Sequence, residues 1–175
     1  MSRKSSKPIP IVIIVGKSGS GKTTLIEKLL PELKRRGYRV GTVKHHLHAF
    51  EIDYEGKDSW RHGRAGADTV IISSPHKLAL VKKMSADMSL EEMRARFFND
   101  VDLILVEGYK TQAHPKIEIL RAAVHEKPLC TPEDQLLATV SDRKLHLDVP
   151  CFGLEDIEPL VDFLEQALGL TIDDC

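Results

Sequence analysis

Residues 16–23 read Gly-Lys-Ser-Gly-Ser-Gly-Lys-Thr, directly behind the β-branched run Ile-Pro-Ile-Val-Ile-Ile-Val at 9–15. No other feature of the chain constrains its fold as tightly. The run has the composition of a strand covered on both faces of a parallel sheet. Beyond the loop, residues 23–36 space Leu25, Leu29, Leu30 and Leu33 along one face of a helix, with Gly37 as its stop. Strand, glycine-rich loop and helix, in that order, form the context in which the pattern G-x-x-x-x-G-K-[ST] holds phosphate. Glycines let consecutive backbone N–H groups curl around an anion, and the helix N-terminus adds positive potential. Gly16, Lys17, Ser18, Gly19, Ser20 and Gly21 are then the cradle of a nucleotide site. In it Lys22 bridges the β- and γ-phosphates, Thr23 offers its hydroxyl to Mg²⁺, and Thr24 reaches the α-phosphate. The alternative is a ligand-free turn, and the flanking strand and helix weigh against it.

Residues 38–44 supply a second strand and complete a βαβ unit. Residues 45–57 lack a period and read as a loop. Asp58 is positioned to cap a short helix through Ala65, closed by Gly66. Strands are expected at 69–73 and 78–81 around a Ser-Pro turn, and Ser89 with Glu92 forms a capping box for the next helix. Further strands are expected at 101–106, 116–120 and, last, 136–140, with a closing helix at 157–168. The alternation predicts an α/β fold: one P-loop NTPase domain over residues 9–175, its mostly parallel sheet flanked by helices. Residues 1–8 read as a flexible N-terminal tail. A chain of 175 residues suits one domain with its own core.

Lys and Arg number 25 against 26 Asp and Glu, so there is no basic excess of the kind nucleic-acid binders carry. Cys130, Cys151 and Cys175 are odd in number and widely spaced, which fits a reducing cytoplasm rather than a disulfide framework. No apolar stretch is long enough to span a bilayer, and the basic start does not lead into the apolar segment of a secretory signal.

A Mg²⁺-nucleotide site also needs an acidic residue ending a neighbouring strand. Glu107, closing the apolar run 101–106, is the candidate for that catalytic role, because ligands gather beyond the carboxyl ends of parallel strands. The plainer reading is that Glu107 opens a loop; Asp102 begins the strand and belongs at its other end. Asp142, behind the last strand, can accept from the N1–H and 2-amino group of guanine, or simply close a turn. His45, His46 and His48, followed by Glu51 and Asp53, read either as zinc or nickel ligands or as polar loop residues beside the γ-phosphate. Asp53 or Asp58 can hold a Mg²⁺ water. Arg61 and Arg64 can meet phosphate or simply decorate a solvated helix, and Trp60 reads as packing. Lys17 faces solvent or reaches a nucleotide in a second subunit.

The phosphate loop, Lys44-His45, Gly56-Lys57-Asp58-Ser59, Ala65-Gly66-Ala67, residues 103–110 (Leu-Ile-Leu-Val-Glu-Gly-Tyr-Lys) and Val140-Ser141-Asp142 together resemble the molybdopterin-guanine dinucleotide biosynthesis protein B family. The resemblance implies a homodimer that binds GTP with Mg²⁺, hydrolyses it weakly, and acts as adaptor for the guanylyltransferase that joins GMP to molybdopterin. It carries Gly19, Gly21, Lys22, Thr23 and Thr24 over as phosphate and magnesium contacts, and Glu107 as the acidic strand-end residue. Leu47 and Ala49 interrupt a stretch usually richer in His and Asp, and Gly63 stands where a basic residue is common. Two other readings share the phosphate loop. A nickel-type metal-insertion GTPase would use the histidines, and a small-molecule kinase would use Arg94 and Arg96 as a lid.

Overall fold

The computed structural model describes residues 8–45, 50–125 and 127–171. His46, Leu47, His48 and Ala49, residues 1–7 of the expected tail and Cys175 lie outside them. The chain forms two compact units, residues 1–45 with 94–175, and residues 46–93.

The first unit is built on β1 (Ile11–Val15), whose five residues are all buried, as a strand covered on both faces requires. Its neighbours in the unit are α1 (Lys22–Arg35) and β2 (Val40–Lys44). After residue 94 come β5 (Leu103–Glu107), β6 (Lys116–Leu120), β7 (Leu136–Ser141), β8 (Cys151–Phe152) and α4 (Ile157–Leu168). The sheet runs β2-β5-β1-β6-β7-β8, and every pairing in it is parallel. The fold class is therefore the expected α/β one. β8 is an addition the sequence did not announce: two residues are too few to show a period.

Val12 and Ile14 project onto one face of the sheet and pack with Leu25, Leu29 and Leu33 of α1 and with Leu160, Val161 and Leu164 of α4. Each such side chain stabilises the unit by about 1.5–3 kcal/mol on burial. At the rim, Arg36 joins the two helices, meeting Glu32 at 2.7 Å, Asp162 at 2.6 Å and Glu165 at 2.9 Å. Hydrogen bonds from Arg35 and then Arg36 hold the Glu32 carboxyl well below the ordinary carboxylate range, at about 2.

The second unit holds α2 (Asp58–Arg64) and an antiparallel hairpin of β3 (Thr69–Ser74) and β4 (Lys77–Lys82), a sheet of its own in which Ile71 faces Leu80. Asp58 does not cap α2 as expected. Lys57 occupies the N-cap and makes no side-chain cap bond, while Asp58 is the first helical residue and sits 3.6 Å from Arg61. A carboxylate inside the first turn still complements the helix dipole. The division between units falls within α3 (Leu90–Phe97), where the expected capping box is present: Ser89 N–H donates to Glu92 Oε2 at 3.1 Å and Glu92 N–H to Ser89 Oγ at 3.2 Å.

Candidate functional site

The loop between β1 and α1 has the backbone its glycines allow. Gly16, Gly19 and Gly21 take φ of 148°, 76° and 98°, values that favour glycine. At Gly16 there is a second reason. A Cβ there would stand 2.6 Å from both Ile119 O and Ser20 Oγ, so only glycine lets the loop lie against the end of β6. Gly21 is the N-cap of α1 and no side chain caps that helix start, which leaves the first N–H groups of α1 facing the loop. Lys22 Nζ donates to Gly16 O and to Lys17 O, both at 3.0 Å, and so spans the loop it belongs to. Lys17 itself is exposed.

Register brings the second half of the site here. Glu107 pairs with Ile14 of β1, one residue from the strand's end. From there its Oε2 accepts the Thr23 hydroxyl at 3.0 Å, and Lys44 Nζ lies 3.5 Å from Oε1. Asp102, at the opposite end of β5, accepts Arg39 N–H at 2.8 Å. A hydroxyl and a carboxylate in contact are hard oxygen donors of the kind Mg²⁺ takes from protein, the rest of its shell being water and phosphate. Thr23 and Glu107 therefore fit that ion. Beside them the His45 ring stacks on Tyr109 with centroids 3.8 Å apart.

A cleft of about 180 Å³ opens on the other flank of the loop, lined by Ser20, Thr24, Lys28, Arg121, Leu154 and Glu155. Lys28 closes one wall, donating to Glu155 Oε1 at 2.6 Å and to Leu154 O at 3.3 Å. Ser20 Oγ is buried without a partner among the described residues. Asp142, behind β7, accepts the Ala122 N–H through both oxygens, at 3.0 and 3.3 Å.

A family model for molybdopterin guanine dinucleotide synthesis protein B, MobB, matches residues 11–142, which takes in the loop, Thr23, Glu107 and Asp142. This chain belongs to the MobB family. It is 39% identical, over 91% of its length and 90% of the relative's, to the molybdopterin-guanine dinucleotide biosynthesis adapter protein of Haemophilus influenzae. A crystal structure of MobB superposes with a TM-score of 0.69 at 32% identity, covering 90% of this chain and 99% of that one. A shorter match, 33% identical over 54% of this chain, is to the urease accessory protein UreG of Mycolicibacterium gilvum, of which it spans 46%.

In this MobB chain Arg94 and Arg96 belong to the first unit, whereas Asp53, Asp58, Trp60, Arg61 and Arg64 lie in the second. Asp53, expected near Mg²⁺, lines a cavity of about 360 Å³ there with Glu51, Trp60, Arg64 and Lys83, and its Oδ1 accepts the Tyr54 N–H at 2.9 Å. Arg64 lies over the half-buried Trp60 ring, 5.6 Å from its centroid, a cation–π contact at the edge of that cavity. Among the described residues no three of His, Cys, Asp and Glu form a metal-holding group. No helix among them is long and apolar enough to cross a membrane.

Sequence reading missed two buried polar residues of β6. Lys116 Nζ donates to Gln112 O, His114 O and Asp134 O at 2.6, 3.2 and 2.7 Å, pinning the segment that leads from Glu107 into β6. Glu118 accepts Leu129 N–H at 2.7 Å and Cys130 N–H at 3.0 Å, with His125 Nε2 at 3.5 Å. Burial, with Glu118 nearby, pushes the Cys130 thiol up, away from reactivity. The available signal was a Lys and a Glu at alternate positions of a strand otherwise apolar.

Proposed function

We propose that this MobB chain binds GTP with Mg²⁺ at the loop 16–24, hydrolyses it slowly, and serves in the cytoplasm as an adapter for the guanylyltransferase that joins GMP to molybdopterin. The observation that carries the nucleotide reading is the Thr23–Glu107 hydrogen bond. It couples the hydroxyl expected on Mg²⁺ to the acidic end of β5, two groups 84 positions apart that the pairing of β5 with β1 brings to the loop. Lys22, already spanning the loop, supplies charge for the β- and γ-phosphates, and the uncapped start of α1 supplies N–H donors. Asp142 is the proposed reader of guanine. The adapter role rests on family membership and on the name its relatives carry. Slow turnover is the expected outcome because no evident arginine finger, a group that raises such rates by about 10³–10⁵, stands among the described residues.

The homodimer contact is assigned to the hairpin. Ile71, Ile72, Leu78 and Leu80 are 55%, 49%, 65% and 41% exposed there, and an isolated two-stranded sheet is marginal in water unless something packs on it. A second copy of the chain is that partner, as family resemblance implies.

Thermal-shift titration with GTP, GDP and ATP, each with Mg²⁺, tests the reading on wild type and on Lys22→Ala. Ligand at about a hundred times its Kd should stabilise by about 2.7 kcal/mol. GTP is expected to shift wild type more than ATP, with the shift lost in Lys22→Ala. A larger shift with ATP would remove Asp142 as guanine reader and favour the kinase reading, and no shift with any nucleotide would overturn the site.

A further inference from the structure

Lys44 is the last residue of β2 and is paired in register with Glu107, the last residue of β5. The two strand ends are locked together by His45 N–H donating to Glu107 O at 3.0 Å. Thr23, Glu107 and Lys44 thus form a short chain in which one carboxylate oxygen takes the Thr23 hydroxyl and the other faces the Lys44 ammonium. The lysine is the looser partner: its side chain is 52% exposed, against 15% for Glu107, and at 3.5 Å the contact is an ion pair rather than a short hydrogen bond. Half-exposed pairs of this kind contribute little, so the ammonium leaves at small cost. Glu107 is also the group to which a divalent cation would come. A cation there and the Lys44 ammonium repel, and the lysine must find another anion. Lys22 lies across the loop, against the carbonyls of Gly16 and Lys17, and serves the phosphates from that side. Lys44 approaches from the opposite side, the side of the β2 and β5 ends.

From this arrangement we propose that Lys44 is the residue that tells a nucleoside triphosphate from a diphosphate. In the free protein its ammonium balances Glu107; with Mg²⁺ and a triphosphate bound it turns from Glu107 to the terminal phosphate, which a diphosphate lacks. The proposal rests on the nucleotide reading above and deepens it, but does not depend on which base is bound. Lys44 is a specificity-determining residue in this scheme, and no proton or bond changes hands through it.

The test is calorimetric titration of the full chain, in Mg²⁺, with GDP and with a non-hydrolysable GTP analogue. The proteins are wild type, Lys44→Met, Lys44→Arg and, as a control on an exposed lysine of α1, Lys34→Met. A charge-assisted contact to phosphate corresponds to about tenfold to a hundredfold in affinity. Lys44→Met should therefore weaken the triphosphate analogue by that factor and leave GDP within about twofold. Lys44→Arg should recover most of the loss, and Lys34→Met should match wild type. Undiminished GDP binding by Lys44→Met also shows that the variant is folded. If Lys44→Met weakens both ligands equally, or neither, while wild type binds them, the Lys44 assignment is wrong and the nucleotide reading survives. If wild type binds no guanine nucleotide, the same titrations are made with the adenine pair. If it binds neither pair, both readings fall together.

Discussion

Glu118 offers the sharpest check on how the region around the loop is held. It lies in β6 opposite Val15, the residue before Gly16, and is 0% exposed. One oxygen accepts the Leu129 N–H and the other the Cys130 N–H, so the carboxyl closes the excursion of the chain between β6 and β7. Glu118→Gln keeps the volume but turns one acceptor into an NH₂ group facing a backbone N–H. One hydrogen bond is lost and its donor is left unsatisfied, a cost of about 1–3 kcal/mol, raised somewhat by donor meeting donor. Glu118→Ala strips the acceptor from both donors and leaves a cavity, so its cost should be about twice as large. For about 2–3 kcal/mol in a protein of this size, Glu118→Gln should lower Tm by about 4–12 °C. Urea unfolding supplies the second measure, with the midpoint lowered and the slope unchanged. Hydrogen exchange should show the Leu129 and Cys130 amides protected in wild type and faster in Glu118→Gln. A Glu118→Gln variant within about 0.5 kcal/mol of wild type, the range of an ordinary surface change, would refute the reasoning. It would mean that those donors have another partner.

Two further outcomes follow from the rim and from the hairpin. The Glu32 carboxyl is held at about 2, below its ordinary 4.5, by Arg35 and Arg36; its contribution to stability is thus complete above about 4.5 and lost as the pH falls through about 2. Tm measured between pH 6 and pH 2 should fall less steeply for Glu32→Gln than for wild type, and parallel curves would show that the cluster joining α1 to α4 does not work this way. For the hairpin, Leu78→Lys places a charge on a side chain now 65% exposed, so it should leave Tm at low protein concentration little changed while converting the proposed dimer to monomer by sedimentation or light scattering. A Leu78→Lys protein that remains dimeric would move the contact elsewhere, and a wild type that sediments as a monomer would remove the proposed dimer.

Much of the fold was legible because its signals are local. β1 announces itself by an unbroken β-branched run, and α1 by leucine spacing strong enough to carry the helix through Pro31. The loop between them is legible for the same reason: its three glycines fall within six residues, each with a φ that favours glycine. β8 was not legible, since its two residues gain strand geometry only from β7 beside them. Nor was the cap of α2, where Asp58 satisfies the usual preference one position too late. Lys116 and Glu118 were hidden differently. Charged residues in a strand suggest an exposed face, yet every residue of β6 is buried, and each charged group is satisfied by backbone outside the strand, from the turn before it or from the excursion after it. Only the folded chain shows that these are the groups that secure the two sides of the strand next to the loop.

The site itself depends on register more than on motif. Glu107 reaches Thr23 because β5 pairs Glu107 with Ile14, and Lys44 reaches Glu107 because β2 pairs those two. Side chains alternate along a strand, so a slip of one residue would turn Glu107 to the other face of the sheet and bring the fully buried Val106 into its place. The apolar pattern of β5 forbids that slip, since four buried residues precede Glu107 and a carboxylate moved among them would lie without a partner. The same hydrophobic pattern that makes the strand therefore aims its one acidic residue at the loop. That is why an acid at the end of an apolar run could be read as functional from sequence, while its lysine partner, reached through a second pairing, could not.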